Sequence, residues 1–186
     1  MVEVALKEMA ARKPVLADAH YAKGRASVTI AAPATRISLR VPETSVAALS
    51  KALGFALPQK PKTSANKNDA HALWIGPDEW LILAPEDSDL ITKFTKVAAF
   101  HSAVNVSHRN AGLIISGAGA ADILNAGCPQ DLSLSVFPAG ACSRTIMGKT
   151  EVILYRMTED NFRVEVWRSF APYAYDFLED VIRRDC

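Results

Sequence analysis

Apolar and polar residues alternate at two periods along the chain, and the points where the period changes mark out short elements. Ile37, Leu39 and Val41 alternate with Arg36, Ser38 and Arg40, the period of a half-buried strand, and residues 27–30 predict a shorter strand before it. Pro42 stops the strand. Val46, Leu49 and Leu53 then recur at helical spacing, with Thr44 or Ser45 to cap the start and Gly54 to supply a left-handed stop. Residues 58–69, polar and punctuated by Pro58 and Pro61, read as a surface loop. Residues 70–84 predict a hairpin, Leu73 and Ile75 facing Leu81 and Leu83 across a Gly76-Pro77-Asp78 turn. A helix is expected over 85–100, capped by Asp87 or Ser88, with Leu90, Ile91, Phe94, Val97 and Ala98 on its apolar face.

Val104 and Val106 suggest a strand, and Leu113, Ile114 and Ile115 another that is apolar enough to be central in its sheet. A Gly-rich turn leads into a short helix carrying Ala121, Ile123, Leu124 and Ala126, stopped by Gly127 and Pro129. Three antiparallel strands follow over 142–147, 151–157 and 162–168. The chain closes on an amphipathic helix with Tyr173, Phe177, Val181 and Ile182 inward and Arg183 and Arg184 at its negative end. At the other terminus, Ala5, Leu6, Met9 and Ala10 line a short helix ended by Pro14, and no sheet pattern is read before Ser27. That segment reads either as a frayed tail or as an arm that orders against a partner protein, burying Val15, Leu16 and Tyr21 among others.

The two halves repeat. Strand, helix, hairpin and helix in the first half recur as strand, helix, strands and helix in the second, offset by roughly 75 residues. The expected fold class is α+β: a duplicated β-α-β-β-α unit, with antiparallel-dominated sheets and helices on one face. The expected organisation is an N-terminal arm over 1–25 and a single compact body over 26–186, made of pseudo-repeats 26–107 and 108–186.

Composition narrows the function classes. The 186 residues are 49% hydrophobic, enough for a real core, and the net charge of +1 comes without any dense basic run, which argues against nucleic acid. No apolar run reaches the length of a membrane span or forms a secretory leader. Cys128, Cys142 and Cys186 are far apart and odd in number, as expected of reduced thiols in a cytoplasmic protein. The turn from Gly117 to Asp122 invites a dinucleotide reading, but Asp122 stands where a third small residue belongs and the next strands are antiparallel, so it reads as a structural device. The four histidines lack metal-ligand spacing, and Asp78-Glu79 reads as turn chemistry. No catalytic, cofactor-binding or metal-binding residue is assigned. Trp74 and Trp80 read as core aromatics or as an exposed interface pair, and His108-Arg109 as a turn pair or a docking contact. Trp74, Trp80 and Arg109 are therefore the candidate partner contacts.

The segment WIGPDEWLIL, residues 74–83, together with the stretch from Val104 to Arg156, resembles the gamma subunit family of heterotetrameric sarcosine oxidases. That family is in turn similar to the folate-binding domain of glycine-cleavage aminomethyltransferases. The shared pattern matches Leu113 to Ser116, Gly119 to Ala121, Asp131-Leu132 and Pro138 to Gly140 here. The resemblance implies a non-catalytic gamma subunit that contacts the large alpha subunit, and through it the beta and delta subunits. The assembled oxidase demethylates sarcosine and hands the one-carbon unit to tetrahydrofolate. The resemblance places FAD, FMN and NAD in the large subunits and zinc in the smallest, with no cofactor in this chain. The alternative is a stand-alone folate-binding or one-carbon-transfer protein.

Overall fold

The structure is a computed structural model that describes residues 15–185. Eleven strands and four α-helices run in the order β1 (His20–Lys23), β2 (Ala26–Ile30), β3 (Ala34–Arg40), α1 (Val46–Leu53), β4 (Ser64–Lys67), β5 (Ala70–Gly76), β6 (Glu79–Pro85), α2 (Leu90–Thr95), β7 (Ser102–Asn105), β8 (Asn110–Ser116), α3 (Ala120–Asn125), β9 (Cys142–Met147), β10 (Thr150–Thr158), β11 (Asn161–Trp167) and α4 (Ala171–Arg184). The strands form two sheets, ordered β1-β2-β8-β11-β10-β9 and β4-β5-β6-β3-β7. Every pairing is antiparallel.

The duplication is plain in this order. The run β3-α1-β4-β5-β6-α2 and the run β8-α3-β9-β10-β11-α4 place their strands identically, as β4-β5-β6-β3 and β9-β10-β11-β8. The repeated unit thus has one strand more than the expected β-α-β-β-α: residues 58–69, read as loop, contain β4, paired with β5 from Ser64↔Leu73 to Lys67↔Ala70. The strand preceding each copy is exchanged. β2 leads into the first copy but pairs with β8 of the second, while β7 leads into the second but pairs with β3 of the first. Two hydrogen bonds continue the exchange beyond the strands, Ala31 N–H to Gly112 O at 2.9 Å and Val106 N–H to Arg36 O at 2.8 Å.

Side-chain alternation settles the layers. Ile37, Leu39, Ala72, Trp80 and Ile82 pack beneath α1 and α2 with Leu49, Leu53, Leu90 and Phe94. Leu113, Ile115, Leu154, Phe162 and Val164 pack beneath α3 and α4 with Ile123, Leu124, Leu178 and Ile182. The alternate positions, Leu73, Ile75, Leu81 and Leu83, meet Cys142, Ile153 and Tyr155 of the other sheet. The sheets therefore stand back to back with helices on the outer face of each. At about 1.5–3 kcal/mol per fully buried large apolar side chain, these three cores outweigh any single polar contact in the molecule.

Three further expectations are corrected. A strand, β1, precedes Ser27 and pairs with β2 from His20↔Thr29 to Lys23↔Ala26. The helix expected over 85–100 is confined to Leu90–Thr95: Pro85 ends β6, and Val97 and Ala99 reach the same core from non-helical chain. Its N-cap is Asp89, one residue beyond the expected caps, and carries no side-chain capping bond. The short helix expected along Ala5, Leu6, Met9 and Ala10, and Cys186, lie outside the described residues.

Candidate functional site

The Gly-rich turn between β8 and α3 has no phosphate cradle to offer. Gly117 takes φ 114° and its N–H donates to Asp160 O at 2.9 Å, while Gly119 N–H donates to Arg25 O at 3.0 Å. The amides that would cup an anion are thus already used. A Cβ on Gly117 would stand 2.2 Å from Arg25 O, so the glycine is there because the turn between β1 and β2 passes against this backbone. Asp122 faces Arg25 at 3.5 Å, and Arg25 is shared with Asp185 at the same distance. The helix that follows has six residues and serves the fold.

The main polar feature lies between the sheets. Arg36 of β3 and Glu165 of β11 project from the faces turned toward each other, both nearly fully buried, and form a two-pronged ion pair: Nε to Oε2 at 2.5 Å and Nη2 to Oε1 at 3.0 Å. Arg36 Nη1 also donates to Ala34 O, and Arg163 Nε donates to Glu165 Oε1 at 2.8 Å. Two guanidiniums thus share one carboxylate. Arg163 Nη2 is the one buried side-chain polar atom among the described residues without a hydrogen-bond partner. Such a cluster gives little net stability compared with apolar packing, but it penalises any arrangement in which the two sheets do not meet in this register.

Beside the cluster opens a cleft of about 370 Å³, walled by Leu16, Ile30 and Ala31 and floored by Arg36, Asn110 and Gly112. Its titratable groups are Asp18, His20, Arg36 and Arg168. Arg36 is committed to Glu165. Farther along the same space, His71 Nδ1 lies 3.3 Å from the Tyr155 hydroxyl. Burial, and then the charge of Arg163, hold the His71 pKa below its ordinary value, while burial raises that of Tyr155. The Cys142 thiol is pushed up to about 12 by burial and donates to the Thr63 and Trp74 carbonyls, which leaves it inert as a nucleophile. Among the described residues no group of three His, Cys, Asp or Glu side chains is placed to hold a metal ion, and no helix is long and apolar enough to cross a membrane.

The three sequence-derived contact candidates do not come together. Trp80 is 1% exposed, packed beneath the helices with its indole N–H donating to Pro58 O at 2.7 Å; it has no surface to offer a partner. Trp74, its cross-strand neighbour, is half-buried on the same helix-covered face. Arg109 is exposed at the far end of the space between the sheets, its guanidinium 5.5 Å from the ring centroid of Trp167 and its Nε bonded to Asn110 Oδ1. The alternation of Phe162, Val164 and Val166 turns Trp167, with Arg163 and Glu165, to the opposite face.

Comparison with known proteins completes the picture. Residues 40–183 match the model of the family described as sarcosine oxidase, gamma subunit family. The chain is 32% identical over 156 residues to the sarcosine oxidase subunit gamma of Corynebacterium sp. (strain P-1), covering 80% of this chain and 76% of that one. The subunit gamma from Arthrobacter sp. is equally similar, 32% identical over 156 residues with the same coverage. Among solved structures, a chain of the heterotetrameric sarcosine oxidase from Corynebacterium sp. U-96, in complex with pyrrole 2-carboxylate, superposes with a TM-score of 0.81 at 28% identity, covering 85% of this chain and 84% of that one. The glycine cleavage system aminomethyltransferase T from Bartonella henselae shares the fold, with a TM-score of 0.60 at 14% identity over 84% of this chain and 46% of that one. With the family model spanning both copies of the duplicated unit, and relatives matching at this coverage, the chain belongs to the sarcosine oxidase gamma subunit family.

Proposed function

We propose that the chain is the non-catalytic gamma subunit of a heterotetrameric sarcosine oxidase. It docks on the large alpha subunit, and through it joins the beta and delta subunits, supporting the complex that demethylates sarcosine to glycine and passes the one-carbon unit to tetrahydrofolate. The flavins and NAD belong to the large subunits and zinc to the smallest. The observation that carries this reading is the superposition, at a TM-score of 0.81 over 85% of the chain, on a chain of a heterotetrameric sarcosine oxidase. The internal polar groups are consistent with it: Arg36 and Arg163 are committed to Glu165, and the Cys142 thiol is bonded to the Thr63 carbonyl.

Co-expression with the other subunits of the same organism tests the proposal. A stable four-subunit oxidase that contains this chain is expected. Full oxidase activity and stability in a complex assembled without it would overturn the reading. The alternative, a stand-alone folate-binding or one-carbon-transfer protein, draws only on the fold shared with aminomethyltransferase T. Titration of the isolated chain with tetrahydrofolate, followed through the half-exposed Trp167, separates the two. A saturable signal favours the alternative.

A further inference from the structure

The cleft beside the Arg36–Glu165 pair has the size and the lining of a small-molecule site. It holds about 370 Å³, and Leu16, Ile30, Ala31 and Pro33 give it apolar walls. It lies where the chain crosses from β2 of one sheet to β3 of the other. Two polar side chains are buried against it, Arg36 at 2% exposed and Asn110 at 4%.

These side chains have donors to spare, while the acceptors around them are engaged. Asn110 Oδ1 accepts from Arg109 Nε at 3.2 Å, Ala34 O from Arg36 Nη1 at 3.2 Å, and Gly112 O from the Ala31 N–H at 2.9 Å. Arg36 spends one N–H each at Nε, Nη1 and Nη2, which leaves two of the five that a guanidinium carries. Asn110 Nδ2 has no hydrogen-bond partner among the described residues. It is not enclosed either, since Arg163 Nη2 is the one enclosed side-chain atom in that condition among them, so Nδ2 reaches open space. Asn110 also borders a crevice of about 30 Å³, which has room for a water or two; the cleft has room for a larger group.

Charge selects among the possible acceptors. The charged groups lining the cleft are Asp18, Arg36 and Arg168, with His20 beside them, and behind Arg36 stand Glu165 and Arg163. Three guanidiniums against two carboxylates leave one positive charge in excess, and Arg109 adds another through its bond to Asn110. A neutral ligand leaves that excess in place. A carboxylate offsets it and accepts from two donors at once.

We propose that the cleft binds a small carboxylate with an apolar body. Asn110 Nδ2 and the remaining Arg36 N–H groups take the two oxygens, and the body lies against Leu16, Ile30 and Pro33. The site goes beyond the reading of the chain as an oxidase subunit and does not depend on it.

The probes are benzoate and phenylacetate, with benzamide and benzylamine as neutral and cationic counterparts. Each is titrated into the full-length chain and followed through amide chemical shifts in two-dimensional NMR. Both carboxylates are expected to give saturable shifts clustered at residues 29–32 and 110–112, with Kd below about 1 mM, and benzamide to bind at least about tenfold more weakly. Asn110→Asp keeps the size of the side chain but replaces its donors with acceptors, and is expected to weaken benzoate at least about tenfold. Ala32→Phe, at an exposed position on the cleft wall, narrows the space and is expected to weaken benzoate by a similar factor. Unchanged circular dichroism and thermal midpoint serve as the fold control for both variants. No saturable shift with either carboxylate up to about 20 mM overturns the proposal. Benzamide binding as tightly as benzoate overturns the carboxylate assignment, and benzoate binding unchanged in both variants overturns the site.

Discussion

The two copies of the repeated unit meet the same difficulty in different ways. In each, the chain leaves the first helix and travels back over the core before re-entering the sheet, which turns backbone carbonyls toward apolar surroundings. The first copy uses neutral groups: the Trp80 indole N–H donates to Pro58 O at 2.7 Å, and Ser50 Oγ accepts the Leu57 N–H at 3.0 Å. The second copy uses a buried cation. Arg156, 3% exposed, donates to Leu132 O at 2.8 Å, Phe137 O at 2.7 Å and twice to Glu159 O, with its guanidinium 4.7 Å from the Phe162 ring. Burial lowers its pKa, while Asp160 and Glu159 oppose the shift. An indole fixes one carbonyl and fills space. A guanidinium fixes three and organises a longer loop, at the cost of desolvating a charge.

Substitutions can break this comparison. Arg156→Met is expected to have the largest effect, about 3–5 kcal/mol, because the Leu132, Phe137 and Glu159 carbonyls lose their charged donor at once. Urea unfolding measures it, and a loss no greater than that of the indole variant would show that the cation is dispensable. Arg36→Met, which removes the tie between copies, should cost about 3 kcal/mol, since Glu165 stays buried with only Arg163 to pair it. A midpoint shift well below that of the Arg156 variant would rank contacts within a copy above those between copies. Trp80→Phe is expected to lose about 2 kcal/mol, leaving Pro58 O unpaired and a small void.

The smallest effect concerns His71, which touches Tyr155 of the other copy. Its folded pKa lies below the unfolded value, so the unfolded chain takes up the proton first as pH falls. The stability this residue confers is therefore complete above about pH 6.5 and is lost as pH falls through the lower folded value. Thermal midpoints of His71→Gln should fall less steeply than those of the parent chain below that pH. Parallel curves would remove His71 from the contact between copies.

Most of the architecture was legible because it rests on apolar periodicity. The hairpin around Pro77-Asp78, the three strands of the second half and the extent of the closing helix follow from alternating or helically spaced large residues, but that helix buries Ala174, Tyr175, Leu178 and Ile182 and leaves Tyr173, expected inward, exposed. β1 and β4 were not legible, since HYAK and SANK stand at sheet edges and need bury little to pair. The polar side of β3 misled for another reason. Alternation shows that Arg36 and Ile37 point oppositely, but it cannot show that a second sheet covers the Arg36 side. Its partner Glu165 lies 129 residues away, and no local spacing connects them. The same limit hid Trp167, whose exposure depends on where the facing sheet ends.

The exchanged strands have a kinetic consequence. Ser27 pairs with Ser116, 89 residues later, so a chain emerging from the ribosome holds the inner edge of the β1-β2 hairpin unpaired until the first strand of the second copy has been made. Closing a loop of that length costs on the order of 4 kcal/mol of chain entropy before any contact offsets it. The five-stranded sheet is complete once β7, the last of its strands along the chain, has been made. Duplication alone would have allowed two independent, quickly folding units with low contact order. Trading one strand in each direction raises the contact order and ties completion of the six-stranded sheet to synthesis of the second copy.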